Sequence, residues 1–370
     1  MFFVPFNSRD TRHKSIQGST AAGDSLWLCV CMPREMMCSA VYLVTGPDGG
    51  EKQYIKLDWK STDGITEWWA TEHTFSQAGL YFYHFEYDTS FGRGRIFRHS
   101  AGKGCFSDSG NEWQQTVYLP DFTTPEDFSG GVMYQIFPDR FYASGTPKKN
   151  VPEDRIIHKD FNEEPEWQEN RKYHRWNVDF YGGDLKGIEM KLPYLKELGV
   201  TCIYLNPIFE AHSNHRYDTA DYMKIDPLLG DYDDFVSLCK TAEKYGMKIL
   251  LDGVFSHTGA DSIYFNKYKR YENEGAYNSQ QSPYYSWFNF KKWNTDYDSW
   301  WGINTLPETN EEDTNFCEFI AGKGGVVEKW LKAGAYGFRL DVADELPDSF
   351  IVKLRDAVKR TKPEGLLLGE

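Results

Sequence analysis

Arg339 and Asp341 stand two residues apart in the stretch Gly337-Phe338-Arg339-Leu340-Asp341-Val342. The stretch alternates as a strand does, and residues two apart on a strand share a face. Arg339 and Asp341 therefore point one way, with Phe338 and Leu340 turned to the other. A charged pair on a doubly buried strand is costly unless it has a task or a structural partner. More polar groups close other strand-like runs: Asn206 after 201–205, Asp252 and His257 at and beyond 248–254, and Glu370 after 366–369. In a βα barrel, catalytic residues come from the carboxyl ends of several strands. Asp341 and Glu370 would end adjacent strands, whose axes lie about 4.8 Å apart. That sets two carboxyl groups roughly 5–6 Å from each other, the separation used by retaining glycosidases. One carboxylate attacks the sugar carbon, and the other protonates the leaving oxygen and later activates water. An opposite charge, Arg339, would hold Asp341 ionised, while burial beside a second carboxylate would keep Glu370 protonated. The competing reading of the same side chains is a salt-bridge network without chemistry.

These side chains need a scaffold, and the sequence offers one with two parts. Residues 131–370 alternate strands with helices, the pattern of a parallel βα sheet or barrel. Strands are expected at 132–137, 201–205, 248–254, 337–342 and 366–369. Helices are expected at 185–198, 233–245, 325–333 and 349–360. Phe235, Leu238, Cys239 and Ala242 make one helical stripe, placed to face the sheet. Two long loops, 142–181 and 256–315, interrupt the pattern, and loops of that length in a compact domain are usually functional. Residues 1–122 read instead as an all-β sandwich, with short runs at 26–32, 40–45, 53–57, 68–71, 80–87 and 115–119 between Gly-rich turns. Trp68-Trp69 and Tyr81-x-Tyr83 suit either core packing or a sugar-stacking platform. Residues 123–130 read as a linker.

Composition narrows the partners. Lys and Arg total 41 against 55 acidic residues, a net charge of −14. That argues against nucleic acid or an anionic membrane and is compatible with a neutral ligand. The seven Cys are scattered and odd in number, which indicates neither a disulfide framework nor a zinc site. No apolar run is long enough to span a membrane. The start Met1-Phe2-Phe3-Val4-Pro5-Phe6 lacks a signal-peptide pattern, so a cytoplasmic location is the expectation.

The motifs, in their order, resemble the α-amylase family, glycoside hydrolase family 13. Residues 133–141, Met-Tyr-Gln-Ile-Phe-Pro-Asp-Arg-Phe, resemble its first barrel strand, and Phe180-Tyr181-Gly182-Gly183-Asp184 the entry to its first helix. His215-Arg216-Tyr217-Asp218-Thr219 resembles the loop after strand two. Residues 252–257 are similar to the first signature motif, Leu306-Pro307-Glu308-Thr309-Asn310 to that of the protruding domain B, and 337–341 to the nucleophile motif. Leu368-Gly369-Glu370 is similar to the start of the acid/base motif. The β-rich N-terminal part and the His-Arg-Tyr-Asp-Thr stretch look closest to neopullulanases, cyclomaltodextrinases and maltogenic amylases. The resemblance implies a (β/α)8 barrel, present here as strands one to five, with a domain-B-like insertion at 256–315 after strand three. It implies hydrolysis of α-1,4 links in maltooligosaccharides, cyclodextrins, pullulan or starch. It makes Asp341 the nucleophile and Glu370 the acid/base, with Arg339 orienting Asp341. His257 would bind a hydroxyl of the cleaved sugar, Tyr217 would stack under its ring, and Asp252 would fix Arg339. The N-terminal domain would be starch-module-like and contribute to a homodimer.

Two departures stand out. Ser256 replaces the Asn that the family has before its His, and the loop at 143–147 lacks the oxygen spacing that calcium needs, so no metal or other cofactor is expected. Five strands cannot close an eight-stranded barrel, and the family's third carboxylate, after strand seven, would lie beyond residue 370. The expectation is thus a part of a longer glycosidase, with strands one and five as open edges and little activity of its own. The alternatives are transfer of the glucosyl chain to another sugar, and a non-catalytic carbohydrate-binding remnant.

Overall fold

The computed structural model describes residues 3–370, apart from the side chain of Asp127. Met1 and Phe2, at the head of the stretch read for a leader, lie outside the described residues. The chain forms two compact units, Met1–Thr123 and Thr124–Glu370. Their boundary falls inside the segment read as a linker.

The first unit is β-rich. Strands Ser25–Pro33, Thr66–Thr74 and Asp58–Thr62 form one sheet, and Ala40–Pro47, Gly79–Thr89 and Trp113–Tyr118 belong to a larger one. Leu26, Leu28, Val30 and Met32 alternate along their strand and meet Val41, Leu43 and Phe85 of the other sheet in one core. Trp69 and Tyr83 are buried there and Tyr81 packs against that core, so these three are core, while Trp68 is half-buried. The strand Gly92–Ser100 escaped the sequence reading because its run of Arg and His is exposed and it buries only Ile96. Its Gly94 is required: a Cβ there would sit 2.3 Å from the Tyr87 ring on the neighbouring strand.

The second unit is built on a parallel sheet. β1 (Met133–Ile136), β2 (Cys202–Leu205), β3 (Lys248–Gly253), β4 (Gly337–Leu340) and β5 (Leu366–Gly369) lie side by side in chain order, each neighbouring pair parallel. Between β1 and β2 the one expected helix is two, α1 (Leu185–Met190) and α2 (Leu192–Glu197). Pro193 explains the break, since proline lacks an N–H and is tolerated only in a first turn. α3 (Tyr232–Lys244) starts on a capping box of Asp231 and Asp234 and buries the expected stripe, Phe235, Leu238, Cys239 and Ala242. Before β4 come α4 (Thr314–Ala321) and α5 (Val326–Ala333), and before β5 α6 (Asp348–Thr361). α4 and the hairpin Phe209–Ala211 with Thr219–Ile225 were not expected from the sequence.

Strand parity divides the side chains. Ile203, Leu205, Ile249, Leu251, Phe338 and Leu340 join the large core with the helices, while Cys202, Tyr204 and Leu250 join Leu366 and Leu368 on the opposite face. All seven cysteines are free thiols. Among the described residues, no helix is long and apolar enough to cross a membrane. At the centre of the helix-side core, Trp330 of α5 is fully buried, donates Nε1–H to the Tyr222 carbonyl at 2.8 Å and packs on Phe209 with ring centres 5.1 Å apart. Trp330→Ala should therefore destabilise this unit by about 3–5 kcal/mol, measured by chemical denaturation. A loss under about 1 kcal/mol would show that the core closes without it.

Candidate active site

The sheet face away from the helices ends in polar side chains, and strand register aligns them. Asp252 of β3 pairs with Arg339 of β4, and Arg339 pairs with Leu368 of β5. Leu340 pairs with Gly369, so Asp341 and Glu370 follow side by side at the rim. Gly337 lets these strands meet: a Cβ there would lie 1.8 Å from the Leu366 carbonyl oxygen.

One guanidinium gathers the carboxylates. Arg339 Nη1 donates to Asp252 Oδ1 and Oδ2 at 2.9 and 3.1 Å and to Asp341 Oδ1 at 2.8 Å, and Nη2 meets Glu370 Oε2 at 2.5 Å. Asp252 also accepts from the Tyr204 hydroxyl, and from the Tyr217 hydroxyl at 3.0 Å. Tyr217 in turn accepts from Asn206 Nδ2 at 3.1 Å, and Asn206 Oδ1 from Gln135 Nε2 at 2.9 Å. The polar network thus runs from β1 to the end of β5. Tyr217, Asp252, Arg339, Asp341 and Glu370 are brought together in it.

The electrostatics differ from the sequence expectation. Burial pushes the Asp252 carboxyl up to about 6, against the pull of Arg339. Burial also raises Asp341, helped by the nearby Glu370 and Glu345 charges, and Arg339 offsets this only in part. Arg339 thus acts on Asp341 in the expected direction, and burial outweighs it. Glu370 is not the buried acid expected: its side chain is 55% exposed, on the rim, and it also accepts from the Val342 backbone N–H at 3.2 Å. That amide is aimed by an unusual turn. Val342 has φ 43° and ψ 51°, the left-handed region that a β-branched residue seldom adopts, and the chain swings out of the sheet immediately after Asp341.

His257 sits outside the network but in a shaped setting. It is fully buried, Ser256 Oγ lies 3.0 Å from its Nδ1, and its Nε2 makes no hydrogen bond of standard geometry. Burial lowers it to about 4, although the Tyr217 backbone carbonyl acts in the opposite direction. Its strand-like segment bridges Glu308, so the stretch 306–310 folds against it, and the Ser256 carbonyl accepts from Thr309 N at 3.0 Å. Ser256 is thereby a tether for His257 and for this loop. A cavity of about 820 Å³ lies beside the segment that carries Tyr217, between Trp176, His212, His215, Asp261 and Leu306. Among the described residues, no group of three or more His, Cys, Asp or Glu is placed to hold a metal ion.

Sequence reasoning missed Tyr204, Gln135 and the Trp300-Trp301 pair, and it gave Asn206 no role. Tyr204 was within reach, because it shares strand parity with the other members of the inner face. The tryptophans were not, since their place depends on a loop fold that leaves no periodic trace.

The family description "Alpha amylase, catalytic domain" matches residues 135–364. The chain is 39% identical over 346 residues to an amylopullulanase of Thermoanaerobacterium saccharolyticum, covering 84% of this chain and 27% of that protein. It is 37% identical over 256 residues to neopullulanase 2 of Thermoactinomyces vulgaris, covering 67% of this chain and 40% of that one. Among solved structures, the type III pullulan hydrolase of Thermococcus kodakarensis covers the whole chain with a TM-score of 0.57 at 28% identity, and the match takes in 61% of that protein. The chain spans between about a quarter and two fifths of the length of these two curated relatives. On the motifs, the parallel sheet and these matches together, the chain belongs to the α-amylase family, glycoside hydrolase family 13.

Proposed function

We propose that this chain carries the catalytic half-site of a retaining α-glucan hydrolase, with Asp341 as nucleophile and Glu370 as acid/base. The carrying observation is that both carboxylates, at the ends of adjacent parallel strands, sit on two nitrogens of one guanidinium. A shared fork of that size suits the roughly 5–5.5 Å spacing of a retaining pair. In this reading β1–β5 are the first five strands of a (β/α)8 barrel, residues 256–315 its domain-B-like insertion, and the first unit a starch-module-like domain. The substrates are α-1,4-linked glucans, in keeping with the amylopullulanase and neopullulanase names of the relatives.

The residues divide the work. Asp252 and Tyr204 hold Arg339, and Arg339 holds Asp341 with one oxygen engaged, leaving the other to attack the sugar carbon. Glu370 must leave Arg339 to protonate the glycosidic oxygen. As the covalent bond to Asp341 forms, the proton passes from Glu370 to the departing oxygen. Glu370 then takes a proton from the water that releases the sugar. By the family resemblance His257 would bind a hydroxyl of the cleaved sugar, and the half-buried ring of Tyr217 stacks beneath the same sugar.

In a protein with the barrel complete, Asp341→Asn should cut release of reducing ends from maltoheptaose by about 10⁴-fold or more, with calorimetric binding of the sugar kept. Unchanged turnover would reject Asp341 as nucleophile. His257 sets a pH dependence. Unfolded, it takes up a proton near its ordinary value of 6.5, and folded only near 4. The unfolded state therefore binds more protons in that window, so the stability linked to this group is full above pH 6.5 and lost as pH falls towards 4. Across that window thermal unfolding of His257→Asn should lose about 3 kcal/mol less than the wild type. Parallel pH curves for the two proteins would show that His257 is not buried neutral.

A further inference from the structure

Beyond β3, the long loop displays two tryptophans that no core absorbs. Trp301 is 78% exposed, and its backbone is held at φ 51°, a left-handed conformation uncommon for a large side chain. Exposure and backbone strain together are costly for a residue that does nothing. The pair is nonetheless fixed. The rings of Trp300 and Trp301 stack with centres 5.2 Å apart at 21°, and Trp300 stacks on His257 at 5.0 Å and 28°. Glu345 uses both carboxylate oxygens on them, accepting Trp300 Nε1–H at 2.9 Å and Trp301 Nε1–H at 3.0 Å. Glu345 itself lies in the turn that follows Asp341, its N–H donating to the Val342 carbonyl at 2.9 Å. The loop is tied back as well, with Trp300 N donating to the Leu306 carbonyl at 2.9 Å.

Three rings therefore step outward from the site, His257, Trp300 and Trp301. The inner two are covered on both faces or by burial, and only the outer face of Trp301 is open. A carboxylate that satisfies the indole N–H groups edge-on leaves that face apolar and flat, which is the surface that the C–H face of a glucose ring stacks on. We propose that Trp301 is a stacking platform for a glucosyl unit of the α-glucan chain beyond the ring held at Asp341, and that Glu345 is its positioning residue. The inference rests on the proposed α-glucan reading and names how that site grips longer chains. Because Glu345 belongs to the turn that carries Asp341, the platform is registered to the nucleophile and not to the loop alone.

The test uses the protein with Asp341→Asn, which binds without turnover, and calorimetry with maltotriose and maltoheptaose. Adding Trp301→Ala should weaken maltoheptaose about tenfold and maltotriose far less, so that the gain in affinity with chain length disappears. Trp301→Phe should restore most of that gain. Glu345→Ala should reproduce the loss, and Glu345→Gln, which keeps one acceptor oxygen, should recover part of it. A role in folding alone would weaken both sugars equally, so equal effects, or none, overturn the proposal. Hydrolysis of maltoheptaose by a protein with the barrel complete and Asp341 intact is scored separately. Sound hydrolysis with unchanged length dependence in Trp301→Ala sinks the platform only, whereas absent hydrolysis sinks the enzymatic reading beneath it.

Discussion

The site depends on one buried cation. Arg339 faces Asp252, Asp341 and Glu370 with two of its nitrogens, and no other positive side chain is bonded to these acids among the described residues. Three carboxylates so close would repel one another strongly in a medium that screens poorly. The guanidinium makes the cluster tolerable, and its fixed fork sets where each acid stands. Burial and repulsion still win at Asp341, whose affinity for a proton is raised. That net balance, not the ion pair by itself, is the starting condition for any chemistry there.

The sheet makes this arrangement available. Parallel neighbours in chain order keep the carboxyl ends of β3, β4 and β5 on one rim, and parity sends alternate residues to opposite faces. One set packs on the helices, and the alternate set, one residue out of phase, carries the polar network at its carboxyl ends. Gly337 permits the close pairing of β4 with β5, and the left-handed turn at Val342 delivers a backbone N–H to Glu370. Strain of that kind persists where the surrounding contacts over-determine the backbone.

Much of this was legible in the sequence. The alternation of 337–341 placed Arg339 and Asp341 on one face, and the network of Asp252 with Arg339 is found where the strand ends suggested. The turn signals located most strands of the first unit. What stayed hidden has physical reasons. Pro193 divides a helix without disturbing its apolar pattern. Gly92–Ser100 is a strand held by pairing, and its exposed arginines carry no burial signal. Trp300 and Trp301 lie where Glu345, far away in sequence, draws them together, and no local periodicity records such a contact.

The central claim is that Asp341 becomes covalently linked to the sugar. The most direct measurement is mass spectrometry of peptides from the protein after reaction with an activated α-maltosyl fluoride bearing a group that slows the second step. The account predicts a glycosyl adduct on the peptide that contains Asp341, absent when the nucleophile is replaced by Asn. An adduct on another carboxylate, or turnover of the same reagent with no adduct at any stage, would contradict it.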